Sequence, residues 1–66
     1  MNDKEFCNSL IRLRSQKGMT QRELEIKSDL AETSVSHYEN GERQPGLSTI
    51  RALCKGLGCT PNDLLQ

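Results

Sequence analysis

Twice in this chain a threonine stands where a helix has to begin, and that punctuation restricts the fold more than any other feature. In Met19-Thr20-Gln21-Arg22-Glu23-Leu24, Thr20 and Glu23 have the spacing of a capping box and Met19 can staple onto Leu24. In Cys59-Thr60-Pro61-Asn62-Asp63-Leu64, Thr60 caps again, Pro61 takes the first helical position and Cys59 staples to Leu64. The intervening sequence keeps helical time. Phe6, Leu10 and Leu13 fall at i, i+4 and i+7, which predicts a helix from about Asp3 to Lys17, ended by Gly18 in a left-handed conformation. Leu30 and Val35 form a staple pair around Ala31, with Asp29 available to assist the weak alanine cap; this predicts a helix over Glu32 to Glu39, stopped by Asn40-Gly41. Residues 41–46 read as a loop. Leu47, Ile50, Leu53, Cys54 and Leu57 then repeat at three and four up to Gly58. The expected architecture is all-α: a compact five-helix unit with brief turns.

A chain of 66 residues buries only ~60% of the surface its unfolded form exposes, so its 33% of apolar residues must share one core. One domain over 1–66 is expected. A mean hydropathy of −0.69 and no apolar run near the ~18 residues of a membrane span indicate a soluble chain, and the N-terminus shows no signal-peptide pattern. Three cysteines, an odd number at low density, favour a reducing cytoplasm over a disulfide scaffold. Cys54 lies in the apolar stripe of the fourth helix, Cys59 at a staple and Cys7 beside Phe6, so packing is the expected role of all three. With His37 the sole histidine, no metal site, cofactor or small-molecule ligand is indicated, and so small a fold offers no pocket for a convergent catalytic set. One Tyr, one Phe and no Trp are too few for an RNA stacking platform, and Tyr38 reads as core.

The second and third helices, joined by a short turn around Ser28-Asp29-Leu30, make a helix-turn-helix candidate over about residues 20–39. Leu13-Arg14, Lys17-Gly18-Met19-Thr20-Gln21, Glu23-Leu24, Val35-Ser36, Tyr38-Glu39-Asn40-Gly41, Arg43 and Pro45 together resemble the Cro and phage-repressor type of helix-turn-helix domain, the xenobiotic-response-element family of transcriptional regulators. That resemblance implies a third helix entering the major groove of double-stranded DNA. It places Glu32, Thr33 and His37, with Ser34 close by, at base-facing positions. Gln21 matches a phosphate-contacting position at a helix start, where an anion is favoured in any case. Asn40 and Arg43 match backbone-contacting positions, while Lys17, Arg22 and Arg12 are basic neighbours that extend the phosphate clamp. Arg14 and Glu39 match a structural ion pair between the first helix and the end of the third.

Two positions depart from the family pattern. Glu25 stands where the family has alanine, so its side chain is expected to be displaced outward; Asp29 stands where the family has glycine, and is expected to take positive φ. Both point to a slightly re-angled or loosened helix-turn-helix. Net charge is zero, but unevenly distributed: residues 12–27 hold five basic against two acidic side chains, whereas 28–42 hold Asp29, Glu32, Glu39 and Glu42 with no Lys or Arg. An acidic recognition face weakens phosphate attraction, although Glu32 could accept a hydrogen bond from the amino group of cytosine. The expected function is a sequence-specific DNA-binding transcriptional regulator, a repressor acting as a homodimer on a palindromic operator. Its dimer surface is expected near Leu47, Leu57, Leu64 and Leu65. The rival is an antirepressor-like protein-interaction module using an acidic third helix.

Overall fold

The computed structural model describes residues 3–65, and within them five helices follow in the order α1 (Asp3–Gln16), α2 (Gln21–Lys27), α3 (Ser34–Glu39), α4 (Leu47–Leu57) and α5 (Pro61–Leu64). Helix α1 packs on α3 and α5, α2 on α3 and α4, and α4 on α5. The core is the set of stripes read from the sequence: Phe6, Leu10, Leu24, Val35, Tyr38, Leu53, Cys54, Leu57 and Leu64 are buried together, with Leu13, Met19, Leu30, Ile50, Cys59 and Leu65 packed against them.

Both threonine signals operate as local chemistry requires. Thr20 Oγ1 accepts from the Glu23 N–H at 3.0 Å while Glu23 Oε1 accepts from the Thr20 N–H at 2.8 Å. Thr60 and Asp63 form the same reciprocal pair at 3.2 Å each way. The Thr20 backbone N–H, and next its hydroxyl, hold the Glu23 carboxyl below its usual range. A carboxylate with a depressed folded-state pKa contributes stability above its unfolded value and loses that contribution as pH falls through the folded value. Glu23→Gln is therefore expected to lower stability slightly at neutral pH and leave it nearly unchanged at acid pH, flattening that part of the stability–pH curve, as read by thermal unfolding across pH.

The start of α3 differs from expectation. Glu32 and Thr33 lie before the helix, not in its first turn, because Thr33 takes a left-handed backbone at φ 70° and becomes the N-cap, without a side-chain cap bond of its own. Asp29 also has positive φ, 56°, as the glycine-like turn position requires. The connection between α2 and α3 thus runs from Ser28 through Thr33, longer than the three-residue turn read from sequence.

At the other end of α2, Gly56 of α4 lies against Ser28 and Leu24. The Ser28 hydroxyl is buried and finds no hydrogen-bond partner among the described residues. Leu57 and Leu64, which the sequence left between core and interface, are 2% and 0% exposed and belong to the core. Leu65 is half-buried, whereas Leu47 at the start of α4 is 64% exposed.

Candidate nucleic-acid interface

Helix α3 is two-faced at a spacing of three and four. Ser34, Val35, Tyr38 and Glu39 turn inward and are buried. Thr33, Ser36, His37 and Asn40 follow at i, i+3, i+4 and i+7 and make the outward stripe, with Thr33 and Asn40 exposed and Ser36 and His37 half-buried. The expected base-facing role of Ser34 is corrected here: it lies in phase with Tyr38, is 6% exposed, and cannot reach a base edge. Ser36, absent from the base-facing residues expected from the sequence, takes the outward place. The signal for it was present, since Val35 and Tyr38 as core residues already fix the helix phase.

A shallow groove lies between the starts of α2 and α3, lined by Gln21, Arg22, Glu25, Glu32, Thr33 and Ser36. It brings two of the expected phosphate-contacting residues, Gln21 and Arg22, beside the expected base-facing Glu32 and Thr33. Lys17 at the end of α1 is exposed, as are Asn40 and Arg43 on the far side of α3. His37 does not stand alone: its Nδ1 lies 3.1 Å from Glu42 Oε1, and Asn40 Nδ2 donates to the same oxygen at 3.5 Å.

Beneath this surface is the Arg14–Glu39 pair. Arg14 Nε and Nη2 donate to the two Glu39 oxygens at 2.5 and 3.1 Å, and Arg14 Nη1 donates to the Met19 carbonyl at 2.8 Å. The fork is planar and bidentate, which fixes orientation as well as supplying attraction. Gln21 joins it, donating from Nε2 to Glu39 Oε1 at 2.9 Å. One network therefore ties α1, the start of α2 and the end of α3 together.

Glu25 departs most from the sequence reading. It is not displaced outward; it is 2% exposed, with Oε2 accepting from the Val35 N–H at 3.0 Å and Oε1 facing Arg22 Nη1 at 3.4 Å. The carboxylate is tolerated in so buried a place because both its oxygens have partners. The effect is to join α2 to α3 and not to loosen them.

The charge map also changes once burial is known. The single acidic residue within α3 is Glu39, which is buried against Arg14, so α3 itself presents no exposed carboxylate. The exposed acids of 28–42 are Asp29, Glu32 and Glu42, all outside the helix, and Glu42 is turned onto His37 and Asn40.

The cysteines serve packing. Cys7 and Cys54 are buried, Cys7 donating from Sγ to the Tyr38 carbonyl at 3.1 Å. Burial, with Cys54 adding to it, pushes the Cys59 thiol up to about 11. Among the described residues no group of His, Cys, Asp and Glu is arranged to hold a metal ion, and no helix is long and apolar enough to cross a membrane.

A capped helix pair holding a polar stripe outward beside a polar groove defines a helix-turn-helix protein. The helix-turn-helix family model matches residues 10–64, and the chain belongs to that family, Cro-like in fold and a DNA-binding transcriptional regulator. It is 34% identical over 58 residues to the HTH-type transcriptional regulator y4dJ of Sinorhizobium fredii, covering 88% of this chain and 75% of that one. It is 42% identical over 52 residues to the control protein C.BamHI of Bacillus amyloliquefaciens, covering 79% of this chain and 64% of the relative's length. The crystal structure of the restriction-modification controller protein C.AhdI from Aeromonas hydrophila matches with a TM-score of 0.90 and 32% identity, over 94% of each chain.

Proposed function

We propose that the chain is a controller-type repressor that binds a palindromic operator as a homodimer, acts in the cytoplasm as a single domain and carries no enzymatic activity. In this reading Thr33, Ser36 and His37 of the outward stripe, with Glu32 before them, face base edges; Gln21, Arg22, Lys17, Asn40 and Arg43 meet phosphates. Occupation of the operator then blocks polymerase. The solved structures named as restriction-modification controller proteins point to an operator in front of genes of that kind.

The observation that carries this reading is the burial of Glu39. An acidic third helix was the reason to consider a protein-docking module, and α3 presents no exposed acid with which to meet a basic partner. The helix instead exposes Ser36, His37 and flanking polar groups, which suit hydrogen bonding to base edges. In this reading the dimer contact lies near Leu47, exposed at the start of α4.

Neutral net charge limits the electrostatic part of binding. The logarithm of the affinity should fall with the logarithm of salt at a slope equivalent to a few phosphates per protomer. Titration of operator DNA at increasing salt, combined with equilibrium sedimentation, reads both slope and stoichiometry. Two chains per duplex with a modest slope are expected. Tight binding unchanged between low and moderate salt contradicts the phosphate clamp, and monomer alone, with and without operator, contradicts the dimer.

A further inference from the structure

We propose that Glu25 is a positioning residue for DNA recognition: it caps the recognition helix from the helix before it, and so sets where the base-facing stripe sits. The inference rests on the DNA-reading role proposed above for α3.

A helix of six residues leaves most of its first-turn N–H groups without an internal partner. Ordinarily the N-cap side chain takes one of them. Thr33 cannot, because its left-handed backbone carries its hydroxyl away and it makes no cap bond, and α3 has no acidic residue in its first turn. Glu25 Oε2 takes the Val35 N–H instead, at 3.0 Å, in a place sealed from solvent. A carboxylate at the N-terminal end of a helix is charge-assisted and favoured by the helix dipole. Since this acceptor belongs to α2, the bond fixes the spacing between α2 and α3 as well as the helix start. It also stabilises the costly left-handed conformation of a β-branched residue at Thr33, directly beside the groove. Arg22, itself 53% exposed, closes the outer oxygen of Glu25, which places a cation between the buried carboxylate and any phosphate entering the groove.

The test compares Glu25→Met, which keeps the volume and removes the acceptor, with Glu25→Gln, which keeps an acceptor and removes the charge. Amide hydrogen exchange at Val35 without DNA reads the cap directly. The ratio of affinities for operator and random-sequence DNA reads the positioning, with circular dichroism confirming helical content in each variant. Glu25→Met is expected to speed Val35 exchange about tenfold and lower the affinity ratio about tenfold, the loss of one cap. Glu25→Gln is expected to retain both within roughly threefold. Unchanged Val35 exchange in Glu25→Met, or its loss in Glu25→Gln, overturns the cap. An affinity ratio unchanged in Glu25→Met overturns the positioning role. A wild-type chain that selects no DNA overturns instead the reading of α3, and the exchange comparison still decides the cap.

Discussion

Replacing Arg14 with alanine is expected to cost about 3 kcal/mol of folding stability, and replacing Glu39 with alanine somewhat less. The order follows from what each change leaves behind. Without Arg14, the Glu39 carboxylate is a nearly buried charge, its side chain 5% exposed, with Gln21 Nε2 as its remaining partner. Without Glu39, the Arg14 guanidinium still donates to the Met19 carbonyl, and its side chain is 17% exposed, enough to reach water. For a chain of this size total stability is on the order of 5 kcal/mol, so either change consumes much of it. The double variant removes both charges together and should lose less than the sum of the singles. Urea unfolding of the four chains in the cycle gives the coupling; strictly additive losses would mean that the pair does not interact. Arg14→Lys should rescue little, because a single ammonium cannot satisfy both carboxylate oxygens and the Met19 carbonyl from one geometry.

Gly56→Ala should destabilise by about 2 kcal/mol, opposite in sign to the usual gain from replacing a glycine inside a helix. A β-carbon there would overlap Ser28 Oγ and lie 3.1 Å from Leu24 Cδ1 and 3.3 Å from Ser28 Cβ. Those atoms sit at the contact of α2 with α4, so relief requires the Ser28 hydroxyl to turn away and Leu24 and Ser28 Cβ to give by a few tenths of an ångström at the base of the helix-turn-helix. Ser28→Ala alone should be neutral or stabilising by about 1 kcal/mol, since it removes a buried hydroxyl without a partner. Combined with Gly56→Ala it should recover part of the loss, because the worst overlap disappears while the Leu24 contact remains. A rise in the unfolding midpoint on Gly56→Ala would contradict this packing.

What the sequence disclosed, and what it concealed, divides along the range of the interaction. The Thr20–Glu23 box and the helix end at Gly58 were legible because each is decided within a few residues. The Arg14–Glu39 pair spans 25 positions and was legible through the family pattern alone. Three features were hidden. Glu25 turns inward because an N–H ten residues away, on another helix, needs an acceptor. Thr33 takes the left-handed backbone that shortens α3, and no local propensity favours that for a β-branched residue. Gly56 looks like any glycine in a helix until α2 is laid against it. Ser34 is a different kind of miss: the phase set by Val35 and Tyr38 already turned it inward.

The acidic segment shows why charge counted along a chain is a poor guide to a surface. Glu25 and Glu39 are both absorbed into contacts that build the helix-turn-helix, so two of the five acids of residues 23–39 act inside the fold. Glu32 remains exposed at the groove.

Whether α3 reads DNA is tested most directly by selecting bound duplexes from a random-sequence pool with the wild-type chain. The account predicts enrichment of a two-fold symmetric sequence whose half-sites lie about one helical turn apart. A pool that emerges without any enriched sequence after selection at low salt would contradict it.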